Sequence, residues 1–211
     1  MAAYLSVSGE HSCERIIEKS RFISYASHIE SEEEAHSFLA KLRAEHPLAT
    51  HICYAYIADK VGNFVRFSDD GEPQGTAGMP ILGVLKAKKL FETAVAVVRY
   101  FGGVKLGAGG LTRAYSSCAA EGLNGAEISL FDLCIKISVG VSYSDGKTLS
   151  RFAEGKTLTG REYAENTVFT FRVRACEAEA FIAEVQNLFR GKAEIRKGEQ
   201  GYYPCLQDYK Q

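Results

Sequence analysis

Tryptophan is absent from the 211 residues, and proline (four) and methionine (two) are sparse. Net charge is nearly absent as well, since 25 Lys+Arg face 26 Asp+Glu. That balance excludes a histone-like polycation but not nucleic-acid recognition, which needs only a local patch. No apolar run is long enough to cross a bilayer: the best, TAVAVVRYFGGV, is interrupted by Arg99 and falls short of the ~20 residues required. The N-terminal stretch MAAYLSVSGEHSCERIIEKS has no basic region leading into an apolar one, so no secretory signal and no membrane contact are expected. CxxC pairs are missing too. The six cysteines (Cys13, Cys53, Cys118, Cys134, Cys176 and Cys205) are therefore expected to be reduced, mostly buried thiols of a cytoplasmic protein. With no ligand spacing among them, and none such as HExxH among the histidines, neither a metal nor a cofactor is expected.

What is present is an ordinary folded composition, 46% hydrophobic, in a chain long enough for one sizeable core or two small domains. CERIIEKSRFISYASHI is strand-like. SEEEAHSFLAKLRAEH predicts a helix, with Ser31 and Glu34 at capping-box spacing and Phe38 and Leu42 on one stripe. His51–Ala58 and Phe64–Phe67 predict a hairpin, and a turn-rich loop SDDGEPQGTAGMP leads into a helix over ILGVLKAKK. TAVAVVRYF has the continuous apolarity of a strand covered on both faces. GGVKLGAGG is expected to be a flexible connector, followed by a helix over LTRAYSSCAAEGL with Leu111, Tyr115 and Cys118 on one side.

GLNGAE, near residues 122–127, marks a boundary, giving domains at 1–127 and 128–211. The remainder counts out as β-α-β-β-α-β, the ferredoxin-like order, with Phe181, Val185 and Leu188 spaced for burial and the last strand interrupted at Gly198 or Gly201. The fold class is thus α+β in two domains. Order alone assigns no activity.

Charge is unevenly spread. Residues 1–127 carry 13 basic and 15 acidic side chains and residues 128–211 carry 12 and 11. Within 81–115, however, Lys86, Lys88, Lys89, Arg99, Lys105 and Arg113 face only Glu92. Gly102, Gly103, Gly107 and Gly110 lie in the same stretch, before a helix whose first amides lack acceptors. With Thr112, they form either an anion or nucleic-acid site or simply a tight strand–helix corner. Neither GxGxxG nor GxxxxGK[ST] is formed. His51, Asp69, Asp70, Glu72 and Thr76 make a possible polar cleft, or else an ordinary capped turn. His51 and Cys53 share a strand face without an orienting third group, and no GxSxG or SxxK occurs, so no catalytic residue is assigned.

The segments ATHICYAY, RFSDDGEPQGTAGMPILGVL and AVVRYFGGVKLGAGGLTRAYSSCA together resemble the Impact/YigZ family over roughly residues 15–125. The positions matching its pattern are His51, Asp69, Asp70, Gly71, Glu72, Pro73, Gly75, Thr76, Gly78, Arg99, Gly102, Gly103, Lys105, Gly107 and Gly110, while Gln74 replaces the small residue of many relatives. The resemblance implies an N-terminal domain like the second domain of a small-subunit ribosomal protein. It also implies a C-terminal domain similar to the last domain of elongation factor G. It implies no secure enzyme activity, and eukaryotic relatives regulate translation through protein partners. Three functions are therefore expected to compete: RNA or ribosome binding through the basic Gly-rich face, regulation through a protein partner, and an enzyme for a small phosphorylated ligand.

Overall fold

The computed structural model describes residues 3–205. They divide into two units, Tyr4–Leu130 and Phe131–Pro204. In chain order the first contains β1 (Tyr4–Val7), β2 (His11–Ile17), β3 (Ser20–His28), α1 (Glu32–Glu45), β4 (His51–Ile57), β5 (Val65–Ser68), α2 (Gly78–Ala87), β6 (Thr93–Tyr100) and α3 (Gly107–Gly125).

The apolar run TAVAVVR is why β6 is central: every residue from Thr93 to Arg99 is buried. It pairs antiparallel with β3 on one side and β4 on the other, in the order β2-β3-β6-β4-β5. Strand alternation then sorts its side chains between two cores. Val95 and Val97 pack with Ile81, Leu85, Leu111 and Tyr115 of α2 and α3, whereas Ala94, Ala96 and Val98 pack with Phe38, Leu39 and Leu42 of α1. Each fully buried Val or Leu contributes roughly 1.5–3 kcal/mol. Helix α1 starts as its sequence dictates, with Ser31 Oγ accepting the Glu34 N–H (3.2 Å) and three glutamates in the first turn.

Two features of this first unit differ from expectation. The segment Cys13–Ile29 is a hairpin whose turn, Glu18–Lys19, has positive φ at both residues (44° and 65°), although neither is the Gly or Asn such turns favour. The Gly-rich stretch is only partly a connector, because α3 already begins at Gly107. Gly109 and Gly110 thus sit in its first turn, where burial of Leu111, Ala114 and Tyr115 outweighs weak local propensity.

The second unit contains most of β7 (Ile128–Ser142), a single 3₁₀ turn, α4 (Gly146–Phe152), β8 (Leu158–Tyr163), β9 (Asn166–Arg174), a second 3₁₀ turn, α5 (Ala178–Leu188) and β10 (Glu194–Cys205). Its strands lie in the order β10-β7-β9-β8. Ile135, Ile137, Val139, Phe169 and Phe171 form one core with Leu149 of α4 and Phe181 and Val185 of α5. Leu188 leaves the expected stripe: it is 43% exposed, and Phe189, four residues after Val185, is buried instead. Nor is β10 interrupted, since it runs through Gly198 and Gly201.

Candidate functional site

Sheet register sets the site. Arg99, near the end of β6, lies directly between Phe22 of β3 and His51 of β4. The row faces α2 and α3, so Arg99 is carried into the core with only 4% of its surface exposed. A buried guanidinium needs a counter-charge. Glu72, from the loop between β5 and α2, supplies it: Arg99 Nη1 donates to Glu72 Oε1 at 2.5 Å, and Nη2 donates to Ser20 Oγ at 3.2 Å. The guanidinium also lies over the rings of Phe22 and Phe101, at 5.2 and 5.4 Å. Tyr115 OH of α3 donates to the same Glu72 oxygen at 2.8 Å.

The loop that delivers Glu72 is held by its acidic residues. Asp69 accepts the backbone N–H groups of Gly75 (2.8 Å), Ala77 (3.0 Å) and Gly78 (2.8 Å), capping α2 from a distance. Burial raises the Asp69 carboxyl, but the three amides outweigh it and hold it below the ordinary value. Asp70 and Gly71 turn with φ of 44° and 87°, which lets Asp70 Oδ2 accept the Ile52 N–H at 2.6 Å. His51 Nδ1 donates to the Asp70 carbonyl (2.7 Å), leaving Nε2 facing Glu72 Oε1 at 3.9 Å. Thr76 Oγ1 donates to the Pro73 carbonyl at 2.6 Å.

These contacts decide what the cleft residues do. His51, Asp69, Asp70, Glu72 and Thr76 do come together, but they bind one another, nearby backbone or Arg99. Among the described residues no group of three or more His, Cys, Asp or Glu is arranged to hold a metal ion. Cys53 donates to the Asp69 carbonyl (2.9 Å), and burial pushes its thiol up to about 12, so it is protonated at neutral pH and a poor nucleophile. Burial, with Cys53 and Glu72 alongside, also drives the Tyr115 phenol well above its usual range, which keeps it a donor.

The network fixes the loop after β6. Ser20 Oγ accepts the Gly102 N–H at 3.2 Å, and a Cβ at Gly102 would overlap the Lys19 carbonyl, so this loop can lie against the hairpin turn only as glycine. Gly103 and Gly107 take positive φ (84° and 68°), while Gly110 packs against Leu106. Lys105 and Arg113 are exposed and have no ion-pair partner among the described residues. Lys86 and Lys89 are exposed as well, whereas Lys88 donates to Asn124 Oδ1 at 2.7 Å. Thr112 turns its hydroxyl back to the Ala108 carbonyl (3.1 Å).

Arg99 therefore departs from the expected basic face, because its charge points inward and is neutralised by Glu72. Ser20 as a partner of Arg99, Tyr115 as a second donor to Glu72, and Arg15 beside Arg113 were not among the expected residues. The available signal was an arginine in a strand otherwise buried on both faces. Arg15, Ile17, Glu18, Val84, Leu106, Gly110, Arg113, Ser116 and Ser117 line a shallow open groove of about 870 Å³. Arg15 also pairs with Glu121 at the surface.

Residues 18–123, which contain this whole network, match the Impact N-terminal domain, and residues 139–192 match a domain of unknown function (DUF1949). The IMPACT family member YvyE of Bacillus subtilis is 41% identical over 197 residues, covering 92% of this chain and 90% of that protein. An IMPACT family member in the pol 5′ region of Thermus thermophilus is 55% identical over 111 residues, 53% of this chain and 59% of that protein. IMPACT family member YigZ of Escherichia coli is 45% identical over 109 residues, 51% of this chain and 53% of that protein. A crystal structure of a hypothetical protein superimposes with a TM-score of 0.62 at 29% identity, covering 94% of this chain and 98% of the other. Motif, fold and sequence comparison converge: the chain belongs to the Impact family.

Proposed function

We propose that this chain is a translation-associated regulatory module of the cytoplasm that binds RNA, free or on the ribosome, through the exposed face around Lys105 and Arg113. The carrying observation is that these two cations, exposed and without an ion-pair partner among the described residues, lie near a groove lined by Arg15 and Arg113, while Arg99 is spent internally to fix the loop bearing Lys105. Phosphates are the natural partners of exposed, unneutralised Lys and Arg beside a glycine-rich backbone. The sheet order β10-β7-β9-β8 supports reading the second unit as ferredoxin-like, akin to the last domain of elongation factor G. The packing of β6 between α1 and the α2–α3 pair goes with a first unit like the second domain of a small-subunit ribosomal protein. The free thiols of Cys13, Cys53, Cys118 and Cys176 suit a reducing compartment. The enzyme reading draws little support, since the acidic side chains of the cleft are engaged by backbone amides and Arg99.

The test is RNA affinity across a salt series. Wild type is expected to weaken steeply with salt, and Lys105→Ala/Arg113→Ala to bind more weakly with a slope flatter by about 1.4, roughly 0.7 per lost single-strand phosphate contact. Absent or salt-insensitive binding in both proteins refutes the proposal. A partner protein that stays bound after nuclease treatment would favour protein-mediated regulation instead.

A further inference from the structure

The second unit has a sheet face that its helices leave uncovered. Along β7, Ile135, Ile137, Val139 and Val141 are buried while Lys136, Ser138 and Gly140 between them are half-exposed. Along β9, Thr167, Phe169 and Phe171 are buried while Val168, Thr170 and Arg172 are half-exposed. The buried set is the one packed on α4 and α5. The other set therefore forms the opposite face, and its chemistry is unlike a spare core surface.

Lys136 lies directly opposite Arg172 in the β7–β9 register, and Ser138 opposite Thr170, whose hydroxyls are 3.0 Å apart. Like charges facing each other across a strand pair repel. Yet neither Lys136 nor Arg172 has an ion-pair partner among the described residues. Three acids of this unit pair with other cations, Asp132 with Arg174, Glu194 with Arg196 and Glu179 with Lys197, and Glu162, opposite Val168 in the β8–β9 register, forms no ion pair with Lys136 or Arg172. Arg172 lies over an aromatic, its guanidinium carbon 3.9 Å from the centre of the Tyr203 ring, and its buried Nε has no hydrogen-bond partner among the described residues. Gly140 and Gly198 add no side chain of their own to this face; Gly140 lies beside Glu194 and Val168, and Gly198 beside Lys136.

We infer that this sheet face is a platform for single-stranded nucleic acid, separate from the groove of the first unit. A nucleobase stacks on the Arg172–Tyr203 pair, Lys136 takes an adjacent phosphate, and the Ser138–Thr170 hydroxyls offer both donor and acceptor to a base edge. A duplex presents no unstacked base to such a surface. The inference rests on the RNA-binding reading and adds a second surface to it.

The test uses the full chain and four labelled probes: oligouridylate, oligoadenylate, the matching single-stranded DNA, and an RNA duplex. Tyr203→Leu keeps apolar bulk but loses the ring, and Arg172→Lys keeps charge but loses the plane. Each is expected to weaken single-strand binding about 5- to 150-fold, the range for one stacked base, with little change for duplex. Lys136→Gln should instead flatten the salt slope by about 0.7. Unchanged urea midpoints and circular dichroism show that the variants fold, and Lys136→Gln keeps the test decisive should a stack variant not fold. If these variants bind single strands within twofold of wild type while Lys105→Ala/Arg113→Ala does not, the platform is refuted and the groove stands. Equal losses on duplex and single strand also refute the platform, leaving a diffuse electrostatic surface. If wild type binds none of the probes, both proposals fall. The RNA and DNA single strands distinguish a 2′-hydroxyl reader from a general one.

Discussion

Removing the counter-charge of Arg99 should cost the first unit a large share of its stability. In Glu72→Gln the amide oxygen can still accept from Arg99 and Tyr115, so hydrogen-bond geometry survives while the negative charge is lost. The guanidinium is then left with neutral partners alone: that amide oxygen, Ser20 Oγ at 3.2 Å and two aromatic rings. Its side chain is 5% exposed, too enclosed for water to replace the carboxylate. Breaking a buried pair by neutralising one partner costs about 3–5 kcal/mol, against a total of about 5–15 kcal/mol for a typical domain. That magnitude increases the opening equilibrium roughly 10²- to 10⁴-fold. Hydrogen exchange on peptides covering β6 (Thr93–Tyr100) reads it directly, with peptides from β9 as an internal control for the second unit. Arg99→Met should lose a similar amount, by stranding the carboxylate. The double variant Glu72→Gln/Arg99→Met should lose less than the sum of the two, because it leaves no unpaired charge and the amide oxygen still accepts from Tyr115. Losses below about 1 kcal/mol in both single variants, or strict additivity in the double, would refute the assignment of this pair as the site's anchor.

Asp69 titrates below its ordinary 3.8 in the folded chain, so its contribution is fully present above that pH and disappears as pH falls through the lowered value. Asp69→Asn should cost about 1–2 kcal/mol at pH 7 and reduce the acid dependence of stability, both measured by urea unfolding between pH 2 and 7. Gly102→Ala forces a Cβ into the Lys19 carbonyl and should destabilise by about 1–3 kcal/mol. Gly83→Ala, in open space on α2, should stabilise by about 0.5–1 kcal/mol, and thermal melts report both signs. Thiol titration of the native chain should label exposed Cys176 promptly and leave buried Cys53, Cys118 and Cys134 unmodified until unfolding. Prompt modification of Cys53 would contradict its raised value of about 12.

Elements whose residues agree locally with their final place were legible from sequence. Ser31 and the three glutamates after it announce α1, and the unbroken run from Thr93 to Val98 announces a strand covered on both faces. The misses fall where tertiary contacts overrule local preference. Glu18 and Lys19 are poor residues for a turn with two positive φ values, but the pairing of β2 with β3 imposes it. GAGG is poor helix sequence, yet it becomes the first turn of α3 because the residues that follow are buried against the sheet. Leu188 and Phe189 compete for one place at the end of α5, and helical spacing from Val185 permits either; the larger ring takes it.

The same distinction governs the candidate site. A sum of charge over residues 81–115 treats its six cations as equivalent, but position separates them before any coordinates are known. An arginine one residue before the end of a strand buried on both faces needs a counter-charge, and the acid-rich loop at Asp69–Glu72 is a source of one. What sequence could not supply is which of Asp69, Asp70 and Glu72 would serve. That depends on the turn at Asp70 and Gly71, which spends both aspartates on backbone amides and leaves the third carboxylate for Arg99. Burying Arg99 lowers the surface charge by one and, in exchange, immobilises Gly102 against the hairpin turn through Ser20, which accepts from both residues. The exposed charge of Lys105 is thus presented from an anchored loop. For a ligand that must order whatever it binds, an anchored cation is worth more than an additional mobile one.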